Sequence, residues 1–192
     1  MSYLIAAVVL VGALCLLDLL LTVGLVRRLR ARDSTRAPAT GFADEGMLPP
    51  GGVVGDFETR TVDGGLLRGR DLGTGSVVVF LSPGCPPCHA QLPRVVAALA
   101  SAPASGAVAV VAGGTAGDPD TEELLTELGP VARVVHEGMA GPVTAAFAAR
   151  AFPVVCRVRA AGDVRVVEAV GDSVLSALTD SSTPSAPVPA PR

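Results

Sequence analysis

Two cysteines three residues apart, Cys85 and Cys88, with Pro86 and Pro87 between them, are the residues of this chain best suited to chemistry. If they open a helix, their Cα atoms lie about 5 Å apart, inside the range a disulfide needs, so the two sulfurs can join and part with little backbone movement. In a first helical turn the unpaired N–H groups and the helix dipole stabilise a negative sulfur and lower the thiol pKa. Cys85 is then the outer, attacking sulfur. Proline suits this place because its missing N–H would go unpaired there anyway. With neither Pro86 nor Pro87 able to donate, Cys88 is the nearest amide left for a Cys85 thiolate, which predicts a modestly depressed pKa and a couple that leans reductive.

Other chemistries use the same residues. Cys85, Cys88 and His89 also satisfy C-x-x-C-H, the attachment pattern of c-type haem, with His89 as axial ligand and His136, Met47 or Met139 as candidate second ligands. A zinc site would draw on Cys156 and His136 in addition to the pair. A purely structural disulfide closing so small a loop gains little chain entropy. The context of the pair favours redox work without metal or cofactor, and none is expected. Cys156 stands in an apolar, strand-like run and reads as a small buried hydrophobe. Cys15 lies in an apolar segment and reads as a packing or lipid-facing residue.

The elements that must hold the pair follow from the apolar pattern. Val77 to Leu81 is a continuous apolar strand of the kind buried on both faces, and it ends just before the cysteines. Pro86 to Ala102 is helical, Ala107 to Ala112 is a second buried strand, and Thr121 to Leu128 is a helix behind Asp118-Pro119. Ala132 to Val135 is a short strand, and Pro142 to Arg150 an alanine-rich helix. Val154 to Val158 and Val164 to Ala169 form strands around Ala161-Gly162-Asp163, and Asp172 to Leu178 closes as a helix. Ahead of all these, Asp56 to Val62 alternates like a strand and meets Asp63-Gly64-Gly65, a hairpin turn. Strands separated by helices imply parallel βαβ units, and the last hairpin adds antiparallel neighbours. The expected architecture is α/β, a mixed central sheet with helices on both faces.

Outside this region the chain changes character. Tyr3 to Val26 is apolar except for Asp18, and nine Leu, five Val and one Ile outweigh the roughly 2.5–3.5 kcal/mol that an acid costs at mid-membrane. With an uncharged start and an ending in Arg27-Arg28-Leu29-Arg30, it reads as an uncleaved single-pass anchor over residues 1–26. Residues 27–52 read as a flexible tether, 53–179 as one folded domain and 180–192 as a disordered Ser/Pro-rich tail. The formal charge is −3, from 15 basic and 18 acidic residues, so no global field favours nucleic acid.

Over roughly Val54 to Leu178 the chain resembles the TlpA/ResA-like branch of the thioredoxin superfamily, and within it the MauD group linked to methylamine dehydrogenase maturation. The resemblance is carried by Gly55-Asp56-Phe57, the Asp63-Gly64 turn, Arg70-Asp71-Leu72, Val77 through Ser82-Pro83-Gly84-Cys85-Pro86-Pro87-Cys88, Gln91-Leu92-Pro93 and Phe152-Pro153-Val154. It implies a thioredoxin-like fold, Cys85 as nucleophile, Cys88 as resolving thiol, and Pro153 as a cis proline lying against the disulfide and orienting the partner chain. Gln91 stands where many relatives carry an acid and cannot take a proton. His89 offers the one titrating group beside the pair.

The activity implied is thiol-disulfide exchange with protein clients, supplied by an unidentified electron donor. A maturation factor for one client enzyme is the alternative from a different class, and peroxide reduction a third. The resemblance places the redox domain outside the cytoplasm, where disulfides persist. Arg27, Arg28, Arg30, Arg32 and Arg36 after the span argue the opposite by the positive-inside rule. The expectation adopted is the extracytoplasmic side.

Overall fold

The computed structural model describes residue 42 and residues 46–102 and 106–181. The expected anchor with Asp18 and Cys15, most of the tether, and the tail beyond Ser181 lie outside the described residues. Among the described residues no helix is long and apolar enough to cross a membrane.

Six strands form the main sheet: β1 (Val53–Val54), β4 (Ser76–Leu81), β5 (Ala107–Ala112), β6 (Arg133–Glu137), β7 (Val154–Ala161) and β8 (Val164–Val170), in the order β1-β8-β7-β4-β5-β6. β2 (Glu58–Arg60) and β3 (Leu66–Arg68) make a separate hairpin. Among the described residues four α-helices flank the sheet: α1 (Pro86–Ala100), α2 (Pro119–Leu128), α3 (Pro142–Ala146) and α4 (Asp172–Ser181). Strands β4, β5 and β6 run parallel, with Phe80 beside Val110 and Val110 beside Val135. β4 and β5 are buried along their whole length. Continuous Val, Ala and Leu runs do this because side chains on both faces of an inner strand meet apolar layers.

The alternation of β4 divides the core in two. Val77, Val79 and Leu81 face α1, α2 and α4, meeting Cys88, Leu92, Val95, Leu124, Leu128 and Leu175. Val78 and Phe80 face the other way, onto Phe57, Leu67, Leu72, Val143 and Phe147. The mixed sheet with helices on both faces is therefore present. The tilted rings of Phe57, Phe147 and Phe80 form the centre of the second layer, with centroids 6.2 Å and 5.4 Å apart along that series.

The structure departs from the sequence pattern at three places. First, α3 does not lead to a parallel neighbour: β7 crosses over and pairs antiparallel with β4, Val154 opposite Phe80. Second, α3 stops at Ala146 although Ala, a strong helix former, continues. The Ala149 N–H donates back to the Thr144 carbonyl, Ala148 takes φ 49°, and the Arg150 N–H reaches the Gly46 carbonyl at 2.6 Å. Tertiary anchoring overrides propensity here. The start of α3 is held from outside by Glu137, whose carboxylate accepts from the N–H groups of Val143 and Thr144 at 3.1 Å and 2.6 Å. Third, order begins before Val53 and continues past Thr179. Phe42 is buried in the first layer, Met47 and Leu48 pack on the second, and the Leu48 N–H donates to the Phe147 carbonyl at 2.9 Å. This corrects the tether expected over 27–52 for Phe42 and 46–52. Isolated apolar residues without periodicity carry no element signal, yet they still bury surface. Likewise Asp180 and Ser181, expected in the tail, belong to α4.

Candidate active site

β4 delivers the chain to Ser82 at the carboxyl end of the central parallel strands. A turn closed by the Cys85 N–H donating to the Ser82 carbonyl at 3.2 Å then reverses it. Cys85 is the N-cap of α1, in extended conformation, with Pro86 and Pro87 filling the first two helical positions. Cys85 and Cys88 are joined in a disulfide with Cα atoms 5.3 Å apart. The two sulfurs differ in access: Cys85 is partly buried, whereas Cys88 has no exposed surface. The Cys88 N–H points at Cys85 Sγ from 3.3 Å. It is the first amide of the helix able to do so, since both intervening residues are prolines.

The second wall comes from far along the chain. The register that sets Val154 opposite Phe80 brings the residues just before β7 to the end of β4. There the Phe152–Pro153 bond is cis, Pro153 is buried, and the Phe152 carbonyl oxygen lies 3.5 Å from Cys85 Sγ. Cys85, Cys88 and Pro153 are thus brought together. Cys156, three residues further on, is not. It faces the layer opposite the one that holds Cys88, because a strand alternates its side chains. Burial pushes its thiol well above the ordinary cysteine value, so it carries almost no thiolate at neutral pH. That geometry also removes Cys156 from any zinc set with the pair.

His89 follows Cys88 and turns back toward the N-terminus of α1. Its Nε2 lies 2.7 Å from the Pro83 carbonyl oxygen and its Nδ1 3.0 Å from a Glu123 carboxylate oxygen on α2. The Pro83 carbonyl is the main cause that raises its pKa above 6.5; burial opposes it, and Glu123 and then Asp120 add further upward contributions. The raised value means that the bound proton stabilises the fold at pH below about 6.5, a contribution lost as pH rises through the folded value. With both ring nitrogens engaged, His89 presents no free nitrogen for an axial ligand. At His136 one ring nitrogen, Nε2, lies 3.1 Å from the Gly113 carbonyl oxygen. Among the described residues, no group of three or more His, Cys, Asp or Glu is placed to hold a metal ion.

Two further contacts support the site. Gly114 adopts φ +73°, and a Cβ there would sit 2.8 Å from Pro83 Cγ, so its lack of a side chain lets the β5–α2 connection back the cysteine turn. Arg94 on α1 pairs with both carboxylate oxygens of Asp172 on α4, one at 2.9 Å, and fixes the two helices against each other. Gln91 is buried on the inner side of α1, at 9% exposure. Glu123 and the Phe152 carbonyl escaped the sequence reading. No local pattern marks a residue whose role comes from an element folded onto the site from elsewhere.

Comparison with family models and with curated proteins finds no match. Solved structures do match. The thioredoxin domain of a thiol-disulfide oxidoreductase from Bacteroides vulgatus aligns with TM-score 0.51 at 17% identity, covering 69% of this chain and 97% of that one. A thiol:disulfide interchange protein from Chlorobium tepidum aligns with TM-score 0.51 at 19% identity, over 69% and 94%. A secreted Mycobacterium tuberculosis disulfide oxidoreductase aligns with TM-score 0.50 at 20% identity, over 65% and 95%. The likeness at this identity is one of architecture, and by architecture the chain is a member of the thioredoxin-like fold.

Proposed function

We propose that the chain is a thiol-disulfide oxidoreductase acting on protein clients through Cys85 and Cys88. One observation carries this reading: a cysteine pair at a helix start has one sulfur reachable and the other enclosed, with buried Pro153 beside it. In the reducing direction the Cys85 thiolate attacks a client disulfide and forms a mixed disulfide, expelling one client thiolate. Cys88 then attacks Cys85 Sγ, releasing the second client thiolate and leaving the intramolecular disulfide. Two electrons from a donor reset the pair. Pro153 and Phe152 offer the wall against which an extended client segment lies. With dithiothreitol as donor, the protein should accelerate insulin reduction well above the dithiothreitol background and leave hydrogen peroxide consumption at background. Acceleration of peroxide loss without insulin reduction would make it a peroxidase instead. The Ser82-Pro83 lead into the pair supports, within the same chemistry, service to a single client enzyme in the MauD manner.

The apolar run from Tyr3 to Val26 supports a single-pass anchor, and the likeness to one secreted oxidoreductase supports an extracytoplasmic domain against the arginines after the span. A membrane-impermeant maleimide applied to intact, mildly reduced cells should label Cys85. Labelling only after permeabilisation would put the domain in the cytoplasm.

A further inference from the structure

We propose that His89 is a positioning residue: by bridging the Pro83 carbonyl to the Glu123 carboxylate it holds the turn that presents Cys85 and sets a positive charge behind the sulfur. This rests on the exchange reading above.

Hydrogen-bond chemistry fixes the protonation state. A carbonyl oxygen only accepts, so the nitrogen 2.7 Å from Pro83 carries a proton. An ionised carboxylate also only accepts, so the nitrogen 3.0 Å from Glu123 carries one too. Both bonds exist together only for the imidazolium. The neighbours agree. From α2 the ring is faced by Glu123 and Asp120, with Glu127 on the same rim, and from the turn by the Pro83 carbonyl. From α1, Leu92 and Pro93 line the same pocket as the ring and carry no charge. The nearest α1 cation in sequence, Arg94, is turned to Asp172 on α4. The raised pKa of His89 has the same origin.

The position gives the charge its use. His89 stands four residues after Cys85, on the same side of the first turn, and its N–H lies 3.4 Å from the Cys85 carbonyl oxygen. Helical side chains lean toward the N-terminus, which carries the ring back to the cysteine turn. Elsewhere a helix start offers several amides to an anion. Here Pro86 and Pro87 remove two, and the Cys88 N–H at 3.3 Å is the remaining one recorded on Cys85 Sγ. A cation one turn away supplies what those amides would have given. Losing the His89 proton removes the charge and sets a nitrogen lone pair against Glu123, so the bridge opens from the α2 end.

The test is the rate at which iodoacetamide alkylates Cys85 in the reduced protein, followed from pH 5 to 9. His89→Ala should slow alkylation at pH 7 about 3–10-fold, equal to a rise of roughly half to one unit in the Cys85 pKa. His89→Gln, which keeps a donor for Pro83 but has no charge, should show most of that slowing. Glu123→Gln, at an exposed position, should match the wild-type alkylation rate at pH 5 and move the histidine inflection to lower pH. Wild-type rates and profile in both His89→Gln and Glu123→Gln would overturn the proposal. Because alkylation needs no client, failure of wild type to reduce insulin would sink the exchange reading alone.

Discussion

Cys85→Ser abolishes insulin reduction, and Cys88→Ser leaves the protein covalently joined to its client. The first loss should reach about three orders of magnitude or more, the scale on which removal of a catalytic nucleophile acts. A serine hydroxyl is not ionised near neutral pH and cannot attack sulfur. The second outcome follows from the difference in access. Cys85 is partly exposed and still forms the mixed disulfide, but the enclosed position that would attack Cys85 Sγ now holds a hydroxyl. The intermediate then survives a non-reducing gel and is released by dithiothreitol. Its mass gives the client: one dominant adduct from cell extract supports the maturation role, many adducts a general reductase. Equal residual turnover in the two variants would show that the sulfurs do not hold distinct roles. Cys156 offers no rescue, being buried on the opposite face of the sheet with its thiol held protonated.

The second large effect concerns stability. Phe147→Ala should cost about 3–5 kcal/mol, the usual loss when a buried aromatic becomes alanine. Phe147 has no exposed surface and packs against both Phe80 and Phe57. It also carries the chain out of α3, its carbonyl accepting from Leu48. Against a total stability of 5–15 kcal/mol for ordinary domains, that is a large fraction, and Tm should fall by roughly 10–20 °C. Below the melting transition the alkylation rate of reduced Cys85 should stay near wild type, because the cavity opens in the layer away from Cys88. A fall in Tm of only about 2 °C would show that Phe147 does not anchor this layer.

Much of this is legible in the sequence alone. The runs Val77 to Leu81 and Ala107 to Ala112 were unambiguous because a strand buried on both faces needs unbroken apolar residues. Asp63-Gly64-Gly65 marked its hairpin because Gly64 supplies the positive φ that the turn needs. The spacing of Cys85 and Cys88 gave their mutual reach, since three residues in a helix fix that distance. What could not be read was whatever depends on distant partners. The two residues of β1 exist only because β8 lies beside them. Met47 and Leu48 are ordered because Phe147 and its neighbours receive them. The bond between His89 and Glu123 joins residues whose meeting depends on how α2 packs beside α1, which neither segment encodes alone. The antiparallel placement of β7 is the same kind of fact: the connection through α3 fixes neither its neighbour nor its direction.

That placement has a bearing on how the molecule is made. Synthesis proceeds from the N-terminus, and β4, α1, β5 and β6 all emerge before β7. Until then the strand leading to the cysteines is an open border with unpaired amides and carbonyls, the template on which chains associate wrongly. Both thiols are already present, without the Phe152 and Pro153 wall. A nascent chain that has exposed β6 but not yet the segment from Phe152 onward therefore holds a sticky half-sheet bearing an unshielded dithiol. Quality control has most to guard in the interval between the third parallel strand and the one that seals it.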